Sequence, residues 1–253
     1  MPKVMIGIPN EGLTKPEAYD NHIWWAMHLG ALVESTKGSD DPYEILWSTT
    51  GRILTPYARE QLAERAEQAG ADYLCMLDDD MVIYTDQGDI LERLIARKVD
   101  IVAPLAFTRN PPHNPVMYDL KTGFEPGTKR RFQKAYHIRN YPKDSLVQVD
   151  AVGFGMVLID MKVVKALKNP RFMTTNGSGE DIWFCINAGE AGFKVFMDTS
   201  LKLGHLGGPK LITEQTYEAE GSVEEYRKVY GTYERGNSYI DSESVGKMVG
   251  QPE

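Results

Sequence analysis

Residues 73–77, Tyr-Leu-Cys-Met-Leu, form an apolar run that stops on three consecutive carboxylates, Asp78, Asp79 and Asp80. The run reads as a buried strand, and three adjacent carboxylates repel one another, so no core accepts them unpaired. Either the strand ends in a solvated turn, or a cation sits at its mouth. Hard divalent cations prefer carboxylate oxygens, and Mg²⁺ often shares one or two of them with a substrate's phosphates.

The surrounding pattern places that run in a fold. Apolar segments predict strands over 4–8, 43–47, 101–104 and 193–197 in addition to 73–77. Helical spacing predicts helices over 20–34, 55–69, 90–97, 161–167 and 181–191. In the second of these, Thr55 is expected as N-cap, Pro56 at the first helical position and Gly70 as the stop. Strands alternating with helices predict an α/β fold, a three-layer αβα sandwich with a mostly parallel, Rossmann-like sheet. Ligands in such sheets bind at the carboxyl ends of the strands, and the acidic triplet lies at one.

The middle of the chain breaks the rhythm. Residues 108–115 are rich in proline and asparagine, and 121–139 are basic, with Lys129, Arg130 and Arg131 at the centre, as expected of a loop or β-hairpin excursion. Residues 147–160 read as a strand pair interrupted by Gly153, Phe154 and Gly155, and 201–206 as an extended piece reaching His205. These elements make one domain over 1–208, followed by a polar extension over 209–253 that is helical in register to 233 and then loose.

A chain of 253 residues can bury the core of one large domain, and a net charge of −8 argues against broad nucleic-acid binding. Cys75 and Cys185 stand in apolar contexts without metal-ligand spacing, as expected of reduced core thiols. No stretch has the length of a membrane span, and the N-terminal apolar run is too short for a signal peptide, so a soluble cytoplasmic protein is expected.

Four elements then occur in an order seen elsewhere. The strand ending in Asp78-x-Asp80 resembles the DxD motif of nucleotide-sugar glycosyltransferases with the GT-A fold, of a family-2-like kind. Gly153-Phe154-Gly155 resembles their glycine-rich loop, Gly179-Glu180-Asp181 their xED motif, and His205 their C-terminal histidine. The resemblance spans residues 3–207 and implies a metal-dependent transfer of a sugar from a nucleoside-diphosphate sugar, with UDP expected, to an acceptor hydroxyl on a glycan or protein. It implies Asp80 and His205 as metal ligands, with Asp78 facing the ribose and touching the metal, and Asp79 pointing away. A histidine ligand favours Mn²⁺ over Mg²⁺. Asp181 and Glu180 become the catalytic carboxylates, Asp181 as the base of an inverting reaction, and Ile8, Pro9, Asn10, Arg59, Asp78 and the Gly153-Phe154-Gly155 loop, with Asp79 alongside, form the nucleotide-sugar site.

Other readings compete at several of these positions. Acidic residues favour any helix N-terminus, which accounts for Glu180 and Asp181 without catalysis. Arg59 suits a surface helix equally well, and His205 a glycine-rich turn whose glycines admit a phosphate close to the backbone. Arg109 either shapes the donor-sugar pocket or is plain loop. Trp183 and Phe184 offer an aromatic face to a sugar or pack in the core. Relatives carry an acidic residue near Ser48-Thr49-Thr50 to read the base, and this chain has none. Asp78-Asp79-Asp80-Met81-Val82 also fits the motif of haloacid-dehalogenase-type phosphatases, which place it on the first strand. A sugar nucleotidyltransferase shares a related fold but normally carries a glycine-rich loop with Arg and Lys directly after the first strand, which Pro9-Asn10-Glu11-Gly12-Leu13 matches poorly. A nucleotide- or glycan-binding protein without turnover, and a homo-oligomer built through the extension, complete the alternatives.

Overall fold

The computed structural model describes residues 2–10, 14–124, 131–175, 178–207 and 210–220. The sheet is built first from strands apolar on both faces. In β1 (Lys3–Ile8) Val4 and Ile6 turn to one side and Met5 to the other, all buried, as central strands of a two-sided sheet require. β2 (Glu44–Thr49) has no fully buried residue and lies at the edge. Between them runs α1 (Pro16–Thr36), and α2 (Thr55–Gln68) leads to β3 (Tyr73–Leu77). Then follow β4 (Met81–Ile83), α3 (Ile90–Ala96), β5 (Ile101–Leu105), β6 (Met117–Phe124), β7 (Arg131–His137), β8 (Leu146–Val149), β9 (Ala151–Val152) and β10 (Met156–Asp160). The chain continues through α4 (Met161–Ala166), α5 (Glu180–Glu190), β11 (Val195–Gly207), β12 (Lys210–Ile212) and α6 (Glu214–Glu220).

The described residues contain a nine-stranded sheet, ordered β12-β11-β5-β10-β3-β1-β2, with β4 and β8 also paired to β11. β1, β2, β3, β5 and β11 share one direction, and β10 runs against β3 and β5 between them. Leu74 and Met76 pack with α2, α4 and α5 on one face, and Cys75 and Leu77 with Trp25, Leu29 and Leu91 of α1 and α3 on the other. The three expected layers follow from this alternation. Both cysteines are buried and free. No helix among the described residues is long and apolar enough to cross a membrane.

Several local expectations are corrected. Thr55 is the first helical residue rather than the cap, which is Leu54, and no side chain caps that end. Pro56 supplies the preset φ one position later than expected. Gly70 does stop the helix, at φ +64°. Residues 147–160 are three strands with three destinations: β8 pairs β11, β9 pairs β6 and β10 enters the main sheet. The separate pieces expected at 193–197 and 201–206 are one strand, β11, whose register shifts between Asp198 and Lys202. The basic excursion is the hairpin β6–β7, completed by β9 into a small second sheet. Lys129 and Arg130 lie outside the described residues.

The first residues of the extension are part of the fold. β12 pairs with β11, and Ile212 and Tyr217 are buried in the core. Tyr217 of α6 stacks on Phe107 at 5.0 Å between ring centroids. Residues 221–253 are outside the described residues.

Candidate active site

A cavity of about 490 Å³ opens over the carboxyl edge of β1, β3 and β5. The antiparallel course of β10 explains how the glycine loop reaches it. Since Met156 at the start of β10 pairs with Leu77 at the end of β3, the residues entering β10 and those leaving β3 meet at one edge. The Asp78 N–H donates to the Gly155 carbonyl at 2.8 Å, tying the acidic triplet to that loop.

β4 brings the histidine in. It starts directly after Asp80 and pairs antiparallel with β11, setting His205 opposite Met81. Helix α1 clamps β4 from outside: Asn21 donates to and accepts from the Ile83 backbone, both at 2.8 Å, and buried His22 contacts the Met81 carbonyl at 3.0 Å. Nε2 of His205 then lies 3.3 Å from Asp80 Oδ2, while Nδ1 lies 2.7 Å from the Phe107 carbonyl oxygen. A carbonyl accepts only, so Nδ1 carries a proton; Nε2 donates to Asp80 when the ring is protonated, and in the neutral ring its lone pair is open to a cation. Two ligands at right angles about 2.1 Å from one ion stand about 3 Å apart, so this pair fits a divalent cation. Among the described residues no group of three His, Cys, Asp or Glu side chains converges on a metal position. The remaining ligands would be water or phosphate oxygens, the usual habit of Mg²⁺ and Mn²⁺ beside nucleotides.

On the opposite side Arg59 organises two carboxylates. Only 2% exposed, it is no surface arginine. Its Nη2 lies 2.9 and 3.2 Å from the two Asp78 oxygens, its Nε donates to Glu180 Oε1 at 3.0 Å, and its Nη1 faces the Phe154 carbonyl at 3.4 Å. The guanidinium lies 5.6 Å from the centre of the Phe154 ring, which itself packs on Phe172 and Phe184. Its donors thus face the protein, although it also lines the cavity. With both oxygens beside Arg59, Asp78 belongs to this cluster rather than to the Asp80–His205 pair.

Asp181 stands in the first turn of α5 behind Gly179. A Cβ on Gly179 would come 2.7 Å from Asp181 Oδ1, so the absent side chain leaves the carboxylate its room. That oxygen accepts from the Ile182 N–H at 2.7 Å.

The carboxylates shift in opposite directions. Burial pushes Asp181 up to about 6, helped by the Glu180 charge and opposed by Arg59. Burial likewise pushes Asp78 up, against the pull of Arg59. For Asp80 burial acts the same way, but the His205 hydrogen bond and the charges of Arg109 and Lys15 outweigh it and hold the carboxyl below its usual range. One cavity therefore offers a persistent anion at Asp80 and two carboxyls pushed toward neutrality, Asp78 to about 7 and Asp181 to about 6.

Pro9, Asn10, Arg59, Asp78, Asp79, Asp80, Gly153, Phe154, Gly155, Glu180, Asp181 and His205 all line this cavity. Ile8 does not: its side chain is buried in the core, and its carbonyl accepts from Thr50 N–H at 3.2 Å. Phe154 contributes little but backbone, since its ring is 1% exposed. The glycines flanking His205 are filled from within: a Cβ on Gly204 would meet Leu211 at 2.7 Å, and one on Gly207 would meet Ile212 and the Arg109 carbonyl. They admit β12 and the Arg109 loop, not a phosphate. Phe184 is buried against Phe172 at 4.8 Å. After β2, Arg65 donates to Ser48 and Thr49, and Thr50 accepts from the Asn10 N–H at 3.1 Å.

Lys15, Thr55 and Tyr118 also line the cavity and were missed. Lys15 precedes the Pro16 that opens α1, a signal available in principle. Tyr118 had none, because its position depends on the β6–β9 pairing.

No protein-family model and no curated protein matches the chain. Among solved structures, A197 from STIV superposes with a TM-score of 0.51 at 20% identity, over 83% of this chain and 93% of that one, and this shows a shared fold. GalNAc-T7, solved with UDP, GalNAc and Mn²⁺, gives 0.47 at 14% identity over 80% of this chain and 43% of that one. An apo UDP-glucose pyrophosphorylase gives 0.48 at 7% identity over 90% and 99%.

Proposed function

We propose that this chain is a metal-dependent glycosyltransferase of the GT-A type, acting on a nucleoside-diphosphate sugar, with UDP as the nucleotide. The observation that carries the reading is the pairing of Asp80 Oδ2 with His205 Nε2, 3.3 Å apart, in the same cavity as Asp181. A bound Mn²⁺ or Mg²⁺ would offset the charge that grows on the leaving diphosphate. Pro9 and Asn10, at the end of β1, form the wall against which base and ribose rest. Arg59 holds Asp78 and Glu180 in place, so that the donor meets a fixed carboxylate array.

Transfer itself falls to Asp181. The acceptor oxygen attacks the anomeric carbon, the bond from that carbon to the phosphate oxygen breaks, and the nucleoside diphosphate leaves with the bonding pair. Asp181 takes the acceptor's proton as the new bond forms, and configuration inverts. A carboxyl raised to about 6 is ionised at neutral pH yet basic enough to accept that proton. The acceptor is a hydroxyl on a glycan or protein.

A haloacid-dehalogenase-type reading needs the first aspartate free as a nucleophile. Both oxygens of Asp78 lie against Arg59 Nη2, and β1, α1, β2 and α2 precede its strand, so that reading finds no support.

Calorimetric titration of UDP with and without Mn²⁺, on the wild type and Asp80→Asn, tests the proposal. Mn²⁺-dependent binding that disappears in the variant is expected. Equal affinity for UDP with and without metal would falsify it.

A further inference from the structure

Asp80 Oδ2 has two cationic or potentially cationic neighbours. His205 Nε2 stands at 3.3 Å, and Nη1 of Arg109 at 3.2 Å. The same oxygen faces the position where the Asp80–His205 pair fits a divalent cation. A guanidinium and a divalent cation on one carboxylate oxygen oppose each other, because like charges at that separation repel strongly in a partly desolvated cavity.

The two ends of Arg109 behave differently. Its backbone is pinned. Thr108 N–H donates to the Asn114 carbonyl at 2.9 Å, and His113 N–H to the Asn110 carbonyl at 3.0 Å. The buried His113 ring lies 3.0 Å from the Thr108 carbonyl, and the Arg109 carbonyl oxygen would be 3.1 Å from a Cβ on Gly207. Its side chain, by contrast, is 56% exposed and lines the cavity. The guanidinium is therefore an exposed group on a fixed anchor. Lys15 lines the same cavity with its ammonium on the Leu206 carbonyl, giving that wall a second positive charge.

We infer that Arg109 exchanges partners during donor binding, contacting Asp80 until a divalent cation takes that oxygen and then closing on the donor's phosphates. The inference rests on the glycosyltransferase reading and adds a residue to it. The planar guanidinium fork matches phosphate oxygens better than an ammonium does, and the phosphates on a cation at Asp80 lie within reach of the same side chain. Arg109 thus acts against the metal alone and in favour of the metal–nucleotide pair.

The opposed signs make the test. Mn²⁺ is titrated into the protein without nucleotide, following the free-ion signal by electron paramagnetic resonance. UDP is then titrated calorimetrically at saturating Mn²⁺, for wild type, Arg109→Gln and Arg109→Lys. Arg109→Gln is expected to bind Mn²⁺ alone about threefold or more tighter and UDP about tenfold weaker, with Arg109→Lys between. A merely disturbed site would weaken both. Unchanged or weaker Mn²⁺ binding in Arg109→Gln, with a wild type that binds Mn²⁺ and UDP, overturns the exchange and leaves the transferase reading standing. Unchanged UDP affinity overturns the phosphate contact. If neither wild type nor Arg109→Gln binds Mn²⁺ or UDP, the metal-dependent reading itself falls.

Discussion

Arg59 Nε lies 3.0 Å from Oε1 of Glu180, a residue 121 positions further along the chain. That contact joins α2 to the first turn of α5, and the same guanidinium reaches Asp78 at the end of β3. Three elements from distant parts of the sequence are held by one planar cation, which suits arginine and not lysine.

Arg59→Met is expected to destabilise the fold by about 3–5 kcal/mol, because it leaves buried carboxylates without their cation. Arg59→Lys keeps the charge but not the fork and should fall between. Urea unfolding midpoints at pH 7 measure both. A loss below about 1 kcal/mol for Arg59→Met would contradict the bridging role.

Asp181→Asn should remove transfer by a factor of about 10²–10⁴ while sparing UDP binding, since only the proton acceptor is lost. The same change should stabilise the protein at alkaline pH. Asp181 has its carboxyl raised from 3.8 to about 6 by burial, so ionising it works against the fold. That stabilisation by the neutral form is complete below the unfolded value and lost as pH rises through about 6. The variant should therefore gain about 1–3 kcal/mol at pH 8, with the carboxyl partly exposed, and almost nothing at pH 4. Denaturant titrations at the two pH values check the sign.

For the same reason, wild-type transfer should rise with pH through about 6 and then level, as the base becomes ionised. A rate independent of pH between 5 and 8 would remove Asp181 as the base.

Tyr217→Ala should loosen metal binding without unfolding the domain. Tyr217 stacks on Phe107, and the Phe107 carbonyl sets the His205 ring through Nδ1. A weakening of Mn²⁺ affinity by about 10-fold or more is expected, as for other changes behind a metal ligand. Tyr217→Phe keeps the stacking and should restore the affinity.

The two loop glycines should respond unequally to alanine. A Cβ at Gly153 would lie 2.9 Å from Val116 Cβ, a branched carbon next to the backbone. A Cβ at Gly155 would lie 2.9 Å from the Met81 sulfur, partway along a flexible chain. Gly153→Ala should cost about 1–3 kcal/mol and Gly155→Ala distinctly less, as thermal midpoints will show.

Most of the central sheet was legible because its strands carry their address in their own residues. The run 73–77 is apolar throughout and became β3 with those bounds. Gly192 ended its helix with a φ of +91° that favours glycine. The short strands were not legible: β4 is three residues long and β9 two, and each exists through its partner strand rather than through propensity. Thr55 was misplaced by one position because threonine before proline looks like a cap whether or not its hydroxyl bonds to the helix.

The candidate site divides in the same way. Asp78, Asp79, Asp80, Glu180, Asp181 and His205 were visible in the sequence because carboxylates and a histidine at element ends have no structural use as plain as packing. The sequence alone thus named most of the charged side chains that line the cavity and the kind of sheet that bears them. Only the tertiary structure decided their partnerships: Asp78 with Arg59, Asp80 with His205 and Arg109, and His205 oriented by Phe107 beneath Tyr217. The reason is physical. A residue's type fixes its charge and its donors locally, but which carboxylate keeps its charge and which holds a proton near neutrality depends on burial and on neighbours supplied by distant segments.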